Sequence, residues 1–408
     1  MENTIEILKK WNPWEKQLEK SIPRKKYLSQ IYPLMNRKEV LVLKGIRRSG
    51  KSTIITQLIN KLLKDGVNKK QILYLNLEDY GFADKLEISL FDEILKTYKG
   101  YTKNQKKIYF FIDEIQKISC WEKWIRTKYD LKEDIKFIVS GSSASLLSKE
   151  LSTLLTGRNL SFTIFTLSYK EYLEFNKKGT LENYLAFGGF PEVVLEDSKE
   201  KKEILLQQYF EDIIHKDIID RHNIRNTKQV FNLARYLVST SGSKVSINKL
   251  SKVFGISKET ISNYLDYMMG AFLLFEVTYF SFSAKIRYEV SKLPKIYSSD
   301  SGFIKIVSIK YTKDKGQMYE NAVFRKLIEQ SLELSYWGED HSEVDFIIGN
   351  KAINVTATDK IPKREFQGLE DFNKKHKRFE SIIVADKKQD IEKSIIGIEQ
   401  FLRDEKTI

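Results

Sequence analysis

The chain has 408 residues, of which 41% are apolar and 12% aromatic, so it is long enough for roughly two to four domains with cores of their own. One cysteine, Cys120, excludes a disulfide-stabilised scaffold, and the four histidines are too scattered for a zinc site. The N-terminus lacks the apolar segment of a signal peptide, and the longest apolar run, residues 268–279, is too short to span a membrane. We therefore expect a cytoplasmic protein without membrane contact.

The formal net charge of +14 is distributed unevenly along the chain. Residues 1–170 hold 32 Lys and Arg against 19 Asp and Glu, whereas the remainder is almost neutral. Inside that remainder, residues 228–295 hold 10 basic and 4 acidic residues. Basic surfaces are typical of nucleic-acid binding, but they also occur in proteins that are simply rich in lysine. Charge alone leaves both explanations open.

Short apolar runs alternate with helix-length segments in residues 1–168. The runs cover residues 40–43, 72–77, 108–112 and 137–139. Buried strands of a parallel sheet have this near-continuous apolar character. The pattern predicts an α/β domain built on a parallel sheet.

The sequence GIRRSGKS, residues 45–52, lies between the first of these strands and the helix that follows it. Glycines allow backbone N–H groups to wrap around phosphate, a lysine reaches the β and γ oxygens, and a hydroxyl binds Mg²⁺. The match predicts a P-loop in which Lys51 contacts the phosphates and Ser52 the metal ion. The predicted binding positions are Gly45, Ile46, Arg47, Arg48, Ser49, Gly50, Lys51, Ser52 and Thr53.

Two carboxylates end the third apolar run, in the sequence IYFFIDEIQ over residues 108–116. Because ligands of parallel sheets bind at the carboxyl ends of the strands, we expect Asp113 to hold Mg²⁺ and Glu114 to polarise the attacking water. The alternative is an Asp-Glu pair that caps a helix. The Asn-Lys-x-Asp motif of GTPases is absent from the sequence, so ATP is the expected nucleotide.

Two further residues are candidates for contact with the transferring phosphoryl group. Ser140 ends the fourth apolar run, where P-loop ATPases of the AAA+ type carry a polar residue that senses the γ-phosphate. The alternative is a serine-rich turn in which Ser142 or Ser143 caps the next helix. Arg158 is expected to stabilise phosphoryl charge, in its own chain or in a neighbouring subunit of a homo-oligomer, or else to pair with a surface acid.

Taken in order, the motifs GIRRSGKST, FFIDEIQ, IVSGSSASLL, the Gly157-Arg158 pair, FTLSYKEYL and YLAFGGFPEVV resemble an uncharacterised prokaryotic family of AAA+-related ATPases, abundant in archaea. The resemblance covers nearly the full length. It implies ATP binding, slow or stimulated hydrolysis, and a role near DNA or mobile elements. It also implies a P-loop ATPase domain, a winged helix and a nuclease-like module, which we assign to residues 1–168, 241–309 and 310–408. The sequence pattern between them is mostly helical, and we assign residues 169–240 to a helical lid.

Residues 246–268, SINKLSKVFGISKETISNYLDYM, have the pattern of a helix-turn-helix, with Ser257 as N-cap of the second helix. Residues 273–288 and 292–298 are expected to pair as a wing. Double-stranded DNA is the predicted partner, and a docked protein is the alternative. The candidate contacts are Lys258, Asn263, Lys285 and Arg287, and the wing also carries Lys292 and Lys295.

Residues 310–408 resemble a PD-(D/E)xK nuclease, in which acidic residues hold Mg²⁺. Glu320 and Asp345 match the first two positions, but Asn354 and Thr356 stand where a glutamate and a lysine are expected. Because metal-dependent hydrolysis needs that carboxylate and that lysine, we expect a module that does not cleave. Lys360 is the candidate for a displaced catalytic lysine.

The sequence as a whole therefore predicts a Mg²⁺-dependent ATPase whose nucleotide state repositions a winged helix and a nuclease-like module on DNA. The alternative is a nucleotide-dependent signalling or scaffold switch, with little turnover, whose winged helix binds protein.

Overall fold

The computed structural model describes residues 2–142, 157–287, 289, 291–308, 315–330, 333–339, 341–358, 360–387 and 394–404. The chain divides into two compact units, Met1–Ile164 (unit 1) and Phe165–Ile408 (unit 2). In the part of the chain that the structure describes, no helix is both long and apolar enough to cross a lipid bilayer.

Unit 1 is built on a five-stranded parallel sheet with the order β2-β3-β4-β1-β5. Strands β1 to β4 coincide with the four predicted apolar runs, so the prediction of a parallel α/β sheet is confirmed. The order places β1 between β4 and β5, and all five carboxyl ends lie along one edge. The strands are β1 (Val40–Lys44), β2 (Ile72–Asn76), β3 (Ile108–Asp113), β4 (Ile135–Gly141) and β5 (Asn159–Thr163).

Helices cover both faces of this sheet. Val42 and Phe110 lie in a core on one face with Ile94, whereas Leu43 on the other face packs in a core that includes Leu58. Each such side chain contributes about 1.5–3 kcal/mol when it is fully buried. The helices are α1 (Glu2–Trp11), α2 (Lys25–Ile31), α3 (Lys51–Lys64), α4 (Ser89–Thr102) and α5 (Trp121–Asp130).

Unit 2 begins with a helical segment, as the sequence pattern predicts for residues 169–240. The Ser168 hydroxyl accepts a bond from the Glu171 N–H, and the Glu171 carboxylate accepts one from the Ser168 N–H, which is a capping box. The helices are α6 (Tyr169–Phe175), α7 (Leu181–Phe187), α8 (Pro191–Leu195), α9 (Lys199–Asp212), a π-helix (Ile213–Ile219), α10 (Asp220–His222) and α11 (Thr227–Ser239). A role of this segment as a lid stays a prediction.

The predicted helix-turn-helix corresponds to α12 (Ile247–Phe254) and α13 (Lys258–Gly270). The Ser257 hydroxyl caps α13 by accepting a hydrogen bond of 3.1 Å from the Thr260 N–H. The inward-facing residues Ile261, Leu265 and Met268 are buried, as the pattern requires. The two helices and their cap are therefore present, while their use as a DNA-binding element stays a prediction.

The second sheet is mixed and has eight strands in the order β13-β12-β11-β10-β9-β7-β8-β6. Strands β7 and β8 pair antiparallel, as expected for a wing, but β7 also pairs in parallel with β9. Residues on both sides of position 310 thus share one sheet. The strands are β6 (Ser243–Lys244), β7 (Leu274–Tyr279), β8 (Lys295–Ser298), β9 (Ser335–Glu339), β10 (Ser342–Ile348), β11 (Lys351–Val355), β12 (Glu380–Ala385) and β13 (Ile395–Gly397).

Lys295, which the sequence analysis places on the wing, is buried. Its side chain is only 4% exposed, because β8 lies between β7 and β6 and its side chains pack into unit 2. Several further helices complete the unit: α14 (Ala284–Arg287), α15 (Ser301–Val307), α16 (Lys315–Gln330), α17 (Lys363–Lys375) and α18 (Ile398–Arg403).

Candidate active site

The loop after β1 is shaped by glycine. A Cβ on Gly45 would lie 2.1 Å from the carbonyl oxygen of Ile164, so no larger residue fits at this turn without a backbone shift. Arg48 (φ 67°) and Gly50 (φ 94°) both adopt left-handed backbone conformations, and Gly50 leads directly into α3. The sequence GIRRSGKS therefore forms a tight loop between a strand and a helix, as the P-loop prediction requires.

Lys51 is folded back over this loop. The residue is buried, and its Nζ donates to the carbonyl oxygens of Gly45 and Ile46, each at 3.0 Å. The first N–H groups of a helix have no partner within the helix and carry the positive end of its dipole. Ser52 and Thr53 lie exposed in this first turn of α3. An ammonium group that lies beside the N–H groups of a helix N-terminus forms a site for phosphate.

Arg47, another residue of the loop, pairs with the chain after β2. Its Nη1 donates to Glu78 Oε1 at 2.9 Å. The N–H of Glu78 in turn donates to Asn76 Oδ1 at 2.9 Å. The ion pair is half-exposed, so its contribution to stability is small.

Asp113 ends β3 at the same edge of the sheet. It is buried and lies in register with Asn76 at the end of β2. Its carboxylate accepts a hydrogen bond from the Ser140 hydroxyl and another from the Tyr74 hydroxyl at 3.1 Å. Two hydroxyls from the neighbouring strands β2 and β4 thus fix its orientation.

Glu114 has a left-handed backbone conformation (φ 56°) and is buried. Its side chain makes no helix-cap bond, so the capping alternative does not describe it. Its N–H donates to Ser140 Oγ at 3.3 Å, while its carboxylate accepts from Gln116 Nε2 and from Ser142 Oγ, the latter at 3.3 Å. Burial raises the pKa of Glu114, and the positive charge of Lys51 opposes that rise.

These groups fit a magnesium ion beside a triphosphate. Magnesium prefers oxygen ligands and binds through a few carboxylates together with substrate phosphates. Asp113 supplies the carboxylate and Ser52 a hydroxyl. Among the described residues, the buried oxygens Ser49 Oγ and Gln116 Oε1 have no hydrogen-bond partner, so the site retains polar groups for a ligand.

Ser140, at the end of β4, contacts both acidic residues, and its contact with a γ-phosphate stays a prediction. Its hydroxyl is directed to Asp113, and it accepts from the N–H of Glu114, so it links the two acidic residues. Ser142 contacts Glu114 and Gln116, and Ser143 lies outside the described residues.

Arg158 lies at the amino ends of the strands, whereas the P-loop lies at their carboxyl ends. Its carbonyl accepts from the N–H of Val40, the first residue of β1, whereas the P-loop follows the last residue, Lys44. Four steps of about 3.3 Å separate the two ends of β1, a distance of roughly 13 Å. The guanidinium instead pairs with Asp130 at 3.5 Å. Contact with the phosphates of its own chain does not fit this position.

Arg24 is a buried residue of the site that the sequence analysis missed. Arg24 lies in the segment before α2, and its Nη1 donates to the carbonyl oxygen of Ser49 at 3.0 Å, while its N–H donates to Gln57 Oε1. It therefore connects the N-terminal segment to the P-loop and to α3. A lone arginine in the loop sequence SIPRKK carries no local signal of this long-range contact.

The remaining candidates lie in unit 2. Lys258, Asn263 and Lys285 are exposed, and Arg287 is half-buried. The candidate nuclease residues Glu320 and Asp345 are brought together, since both contact Lys295 Nζ, at 3.4 and 3.2 Å.

The three other residues of the nuclease prediction have different contacts. Asn354 accepts from the Asp345 N–H, Thr356 Oγ1 contacts Thr358 Oγ1, and the carbonyl of Lys360 accepts from Thr358.

Comparison with known proteins agrees with the parallel sheet and its loop. A family model described as an AAA domain matches residues 37–173, and two domains of unknown function match residues 178–312 and 315–401. Among solved structures, RuvB of Thermotoga maritima is 17% identical, with a TM-score of 0.33, over 62% of this chain and 88% of that one. PCH-2 of C. elegans is 14% identical, with a TM-score of 0.30, over 62% of this chain and 71% of its own. Likenesses this weak carry no argument about this chain.

Two relatives are more similar in sequence. An uncharacterised protein of Methanocaldococcus jannaschii is 34% identical over 335 residues, which cover 76% of this chain and 72% of the relative. An uncharacterised protein of Haemophilus influenzae is 30% identical over 340 residues, covering 80% and 83%. The chain therefore belongs to the family of these uncharacterised archaeal and bacterial proteins and carries an AAA domain over residues 37–173.

Proposed function

We propose that unit 1 binds ATP with Mg²⁺ and hydrolyses it. The observation that carries this proposal is the shared sheet edge: β1 and β3 both pair with β4, so the P-loop and the Asp113-Glu114 pair follow strand ends of the same parallel sheet. The AAA-domain match over residues 37–173 supports the proposal.

Each group of the site has a separate task in this proposal. Lys51 and the N–H groups at the start of α3 bind phosphate oxygens. Ser52 and Asp113 hold Mg²⁺, which supplies positive charge beside the phosphates. Glu114 orients the attacking water and accepts its proton. Lys51 also favours the ionised form of Glu114, which this buried carboxyl needs to accept a proton.

Substitution of Glu114 by Gln tests the proposal. The Glu114→Gln protein should bind a non-hydrolysable ATP analogue as the wild type does, measured by calorimetry, because the phosphate-binding groups are intact. Its turnover should fall about 10²–10⁴-fold, since the amide does not accept the proton.

Two variants serve as controls for this substitution. Lys117→Gln changes an exposed neighbour and should leave turnover unchanged, and Lys51→Ala should lose nucleotide binding itself. Normal hydrolysis by Glu114→Gln would show that another group activates the water.

We further propose that unit 2 contacts double-stranded DNA through α13 and the β7–β8 hairpin, so that nucleotide turnover repositions these elements and the nuclease-like module on the duplex. The capped helix-turn-helix, the excess of basic residues over positions 228–295 and the exposure of Lys258, Asn263 and Lys285 support this proposal.

Fluorescence anisotropy with a duplex oligonucleotide, combined with ATPase rates with and without that duplex, tests the DNA proposal. Lys258→Gln and Lys285→Gln should each weaken binding and lower the salt dependence by roughly 0.9 in logarithmic slope for each phosphate that the lysine neutralises. Lys363→Gln, an equally exposed lysine on α17, is the matched control. A duplex that neither binds nor changes the ATPase rate would contradict the proposal.

A specific observation favours the second candidate, a nucleotide-dependent switch that docks a protein. Val253 on α12 is 62% exposed and Phe282 after β7 is 78% exposed, so two large apolar side chains are available for contact with a protein partner. Co-purified nucleotide, slow turnover and no response to DNA would support this alternative over the first.

A further inference from the structure

Unit 2 holds a buried lysine inside a group of carboxylates. Lys295 Nζ lies 2.6 Å from Glu343 Oε1, 3.2 Å from Asp345 Oδ1 and 3.4 Å from Glu320 Oε1. Lys295 lies on β8, Glu343 and Asp345 lie on β10, and Glu320 lies on α16. We call these four residues the Lys295 cluster.

The carboxylates of the Lys295 cluster are held around the ammonium by further bonds. The Tyr297 hydroxyl donates to Glu320 at 2.6 Å, the N–H of Val355 donates to Asp345 Oδ2 at 3.0 Å, and Lys244 donates to Glu343 at 2.8 Å. Their positions are therefore set by bonds from three different strands, β6, β8 and β11, although the Glu343 side chain remains 41% exposed. The arrangement is a built site with a cation at its centre.

The three carboxylates of the Lys295 cluster are compensated by the positive charge of Lys295. Burial, followed by the charge of Asp345, raises the pKa of Glu320 to about 7. Burial alone would lower the pKa of Lys295, but Tyr297 and the surrounding carboxylates raise it well above its usual range. Lys295 therefore stays charged and compensates negative charge that would otherwise be buried without a partner.

Asn354 belongs to the frame of the cluster. Its Oδ1 accepts from the N–H of Asp345 at 3.1 Å, and its Nδ2 donates to the carbonyl oxygens of Glu343 and Glu365, at 3.4 and 2.9 Å. An amide makes all three bonds at once, whereas a carboxylate could not donate the last two. The residue at the position expected for a third acid therefore braces the two acidic strand residues.

We propose that Lys295 is the built-in cation of this cluster and keeps divalent metal ions out of it. The ammonium lies where an ion bound by Glu320, Glu343 and Asp345 would lie, and it already satisfies one oxygen of each. The proposal is independent of the ATPase function of unit 1.

Substitution of Lys295 by Met tests the proposal, because it removes the ammonium and keeps a side chain of similar length. Nucleotide-free Lys295→Met should bind one more Mn²⁺ per chain than the wild type, measured by electron paramagnetic resonance. The same ion should raise its melting temperature by several degrees and leave that of the wild type unchanged. The double variant Lys295→Met/Asp345→Asn should lose both effects.

Lys292→Met, from the same hairpin, is the matched control and should behave as the wild type. If Lys295→Met does not accumulate as folded protein, Lys295→Met/Glu343→Gln removes a negative charge together with the positive one and is measured in its place. Two results would overturn the proposal: a wild-type protein whose Mn²⁺ binding disappears in Asp345→Asn, or a folded Lys295 variant that gains no ion.

Discussion

Gln116 lies two residues after Glu114, and its amide joins the acidic residue to the next strand end. Nε2 donates to the Glu114 carboxylate and, at 3.3 Å, to Ser142 Oγ, while Oε1 is buried without a partner among the described residues. In the proposed ATPase this side chain sets the direction of the Glu114 carboxylate. It is a positioning residue in that role.

Gln116→Leu should therefore reduce turnover without weakening ATP binding. We expect kcat to fall about tenfold or more with KM nearly unchanged, because Lys51 and the start of α3, which bind the phosphates, are left intact. Steady-state ATPase assays measure both values. Gln116→Asn, which keeps the amide, should retain more activity than Leu, whereas equal losses in both variants would indicate a merely structural role.

At the residue scale, the positions of the loop and of the acidic pair could be predicted because their signal is local. Gly45, Lys51, Asp113 and Glu114 follow apolar strand residues at fixed spacing, and parallel strands bring their ends to one edge. Tyr74 could not be predicted, because its contact with Asp113 depends on the register of β2 with β3.

At the scale of elements, the junction of β1 with β5 depends on one glycine. A Cβ at Gly45 would clash with the carbonyl oxygen of Ile164 at 2.1 Å, and β1 and β5 pair along their whole length just before this point. The pairing of β1 with β5 and the start of the P-loop therefore both require a residue without a side chain at position 45.

Gly45→Ala should lower the free energy of unfolding on the order of 3–5 kcal/mol, because backbone must move to admit the methyl group. Gly100→Ala in α4 is the control: nothing lies within 4 Å of its added Cβ, so it should stabilise by about 0.4–1 kcal/mol. Urea denaturation of both variants measures the difference. A Gly45→Ala protein as stable as the wild type would show that the loop relaxes without cost.

Lys136 on β4 should make the free energy of unfolding of unit 1 depend on pH in the alkaline range. Its Nζ donates to the carbonyl oxygens of Arg37 and Glu39, at 2.9 and 2.6 Å. Burial, and secondly the charge of Lys107, lower the pKa of Lys136 from 10.5 to about 8. Between these two pH values the unfolded chain binds the proton and the folded chain does not, so stability should rise with pH across this window.

Lys136→Met should lack that rise, which we expect to be on the order of 2 kcal/mol across the window. Urea denaturation at a series of pH values compares it with the wild type and with Lys123→Met, which removes an exposed lysine of α5. Since other groups also titrate, the difference between the two variants is the relevant quantity. Parallel curves for all three proteins would contradict the assignment.

The elements differ in how well they could be predicted. The strands of unit 1 are buried on both faces and read as apolar runs, so β1 to β4 were found. The eight-stranded sheet was not, because the parallel pairing of β7 with β9 joins residues far apart in the chain, such as Thr278 and Ser335, and leaves no pattern in the local sequence.

At the scale of the whole molecule, the position of Arg158 has a consequence for how copies of the chain would have to associate. Because it lies at the amino end of the sheet, a role in phosphoryl transfer requires a neighbouring copy of the chain that presents it to a second active site.

This arrangement predicts complementation between inactive chains. Arg158→Ala should have low ATPase activity, and a mixture with Glu114→Gln should regain part of it, since the intact Arg158 of one chain can serve the intact Glu114 of the other. ATPase rates at several mixing ratios, on protein sized by gel filtration, measure the effect. Full activity of Arg158→Ala alone would assign the residue only to its ion pair with Asp130.

The parallel pairing of β7 with β9, in which Thr278 lies beside Ser335 and Tyr279 beside Tyr336, also governs how the protein can be divided for study. A fragment cut near residue 310 would expose the open side of β9, and unpaired strand sides of this kind recruit other chains and precipitate. Pieces for separate expression are better made at 164/165, where none of the described strands is separated from its neighbours.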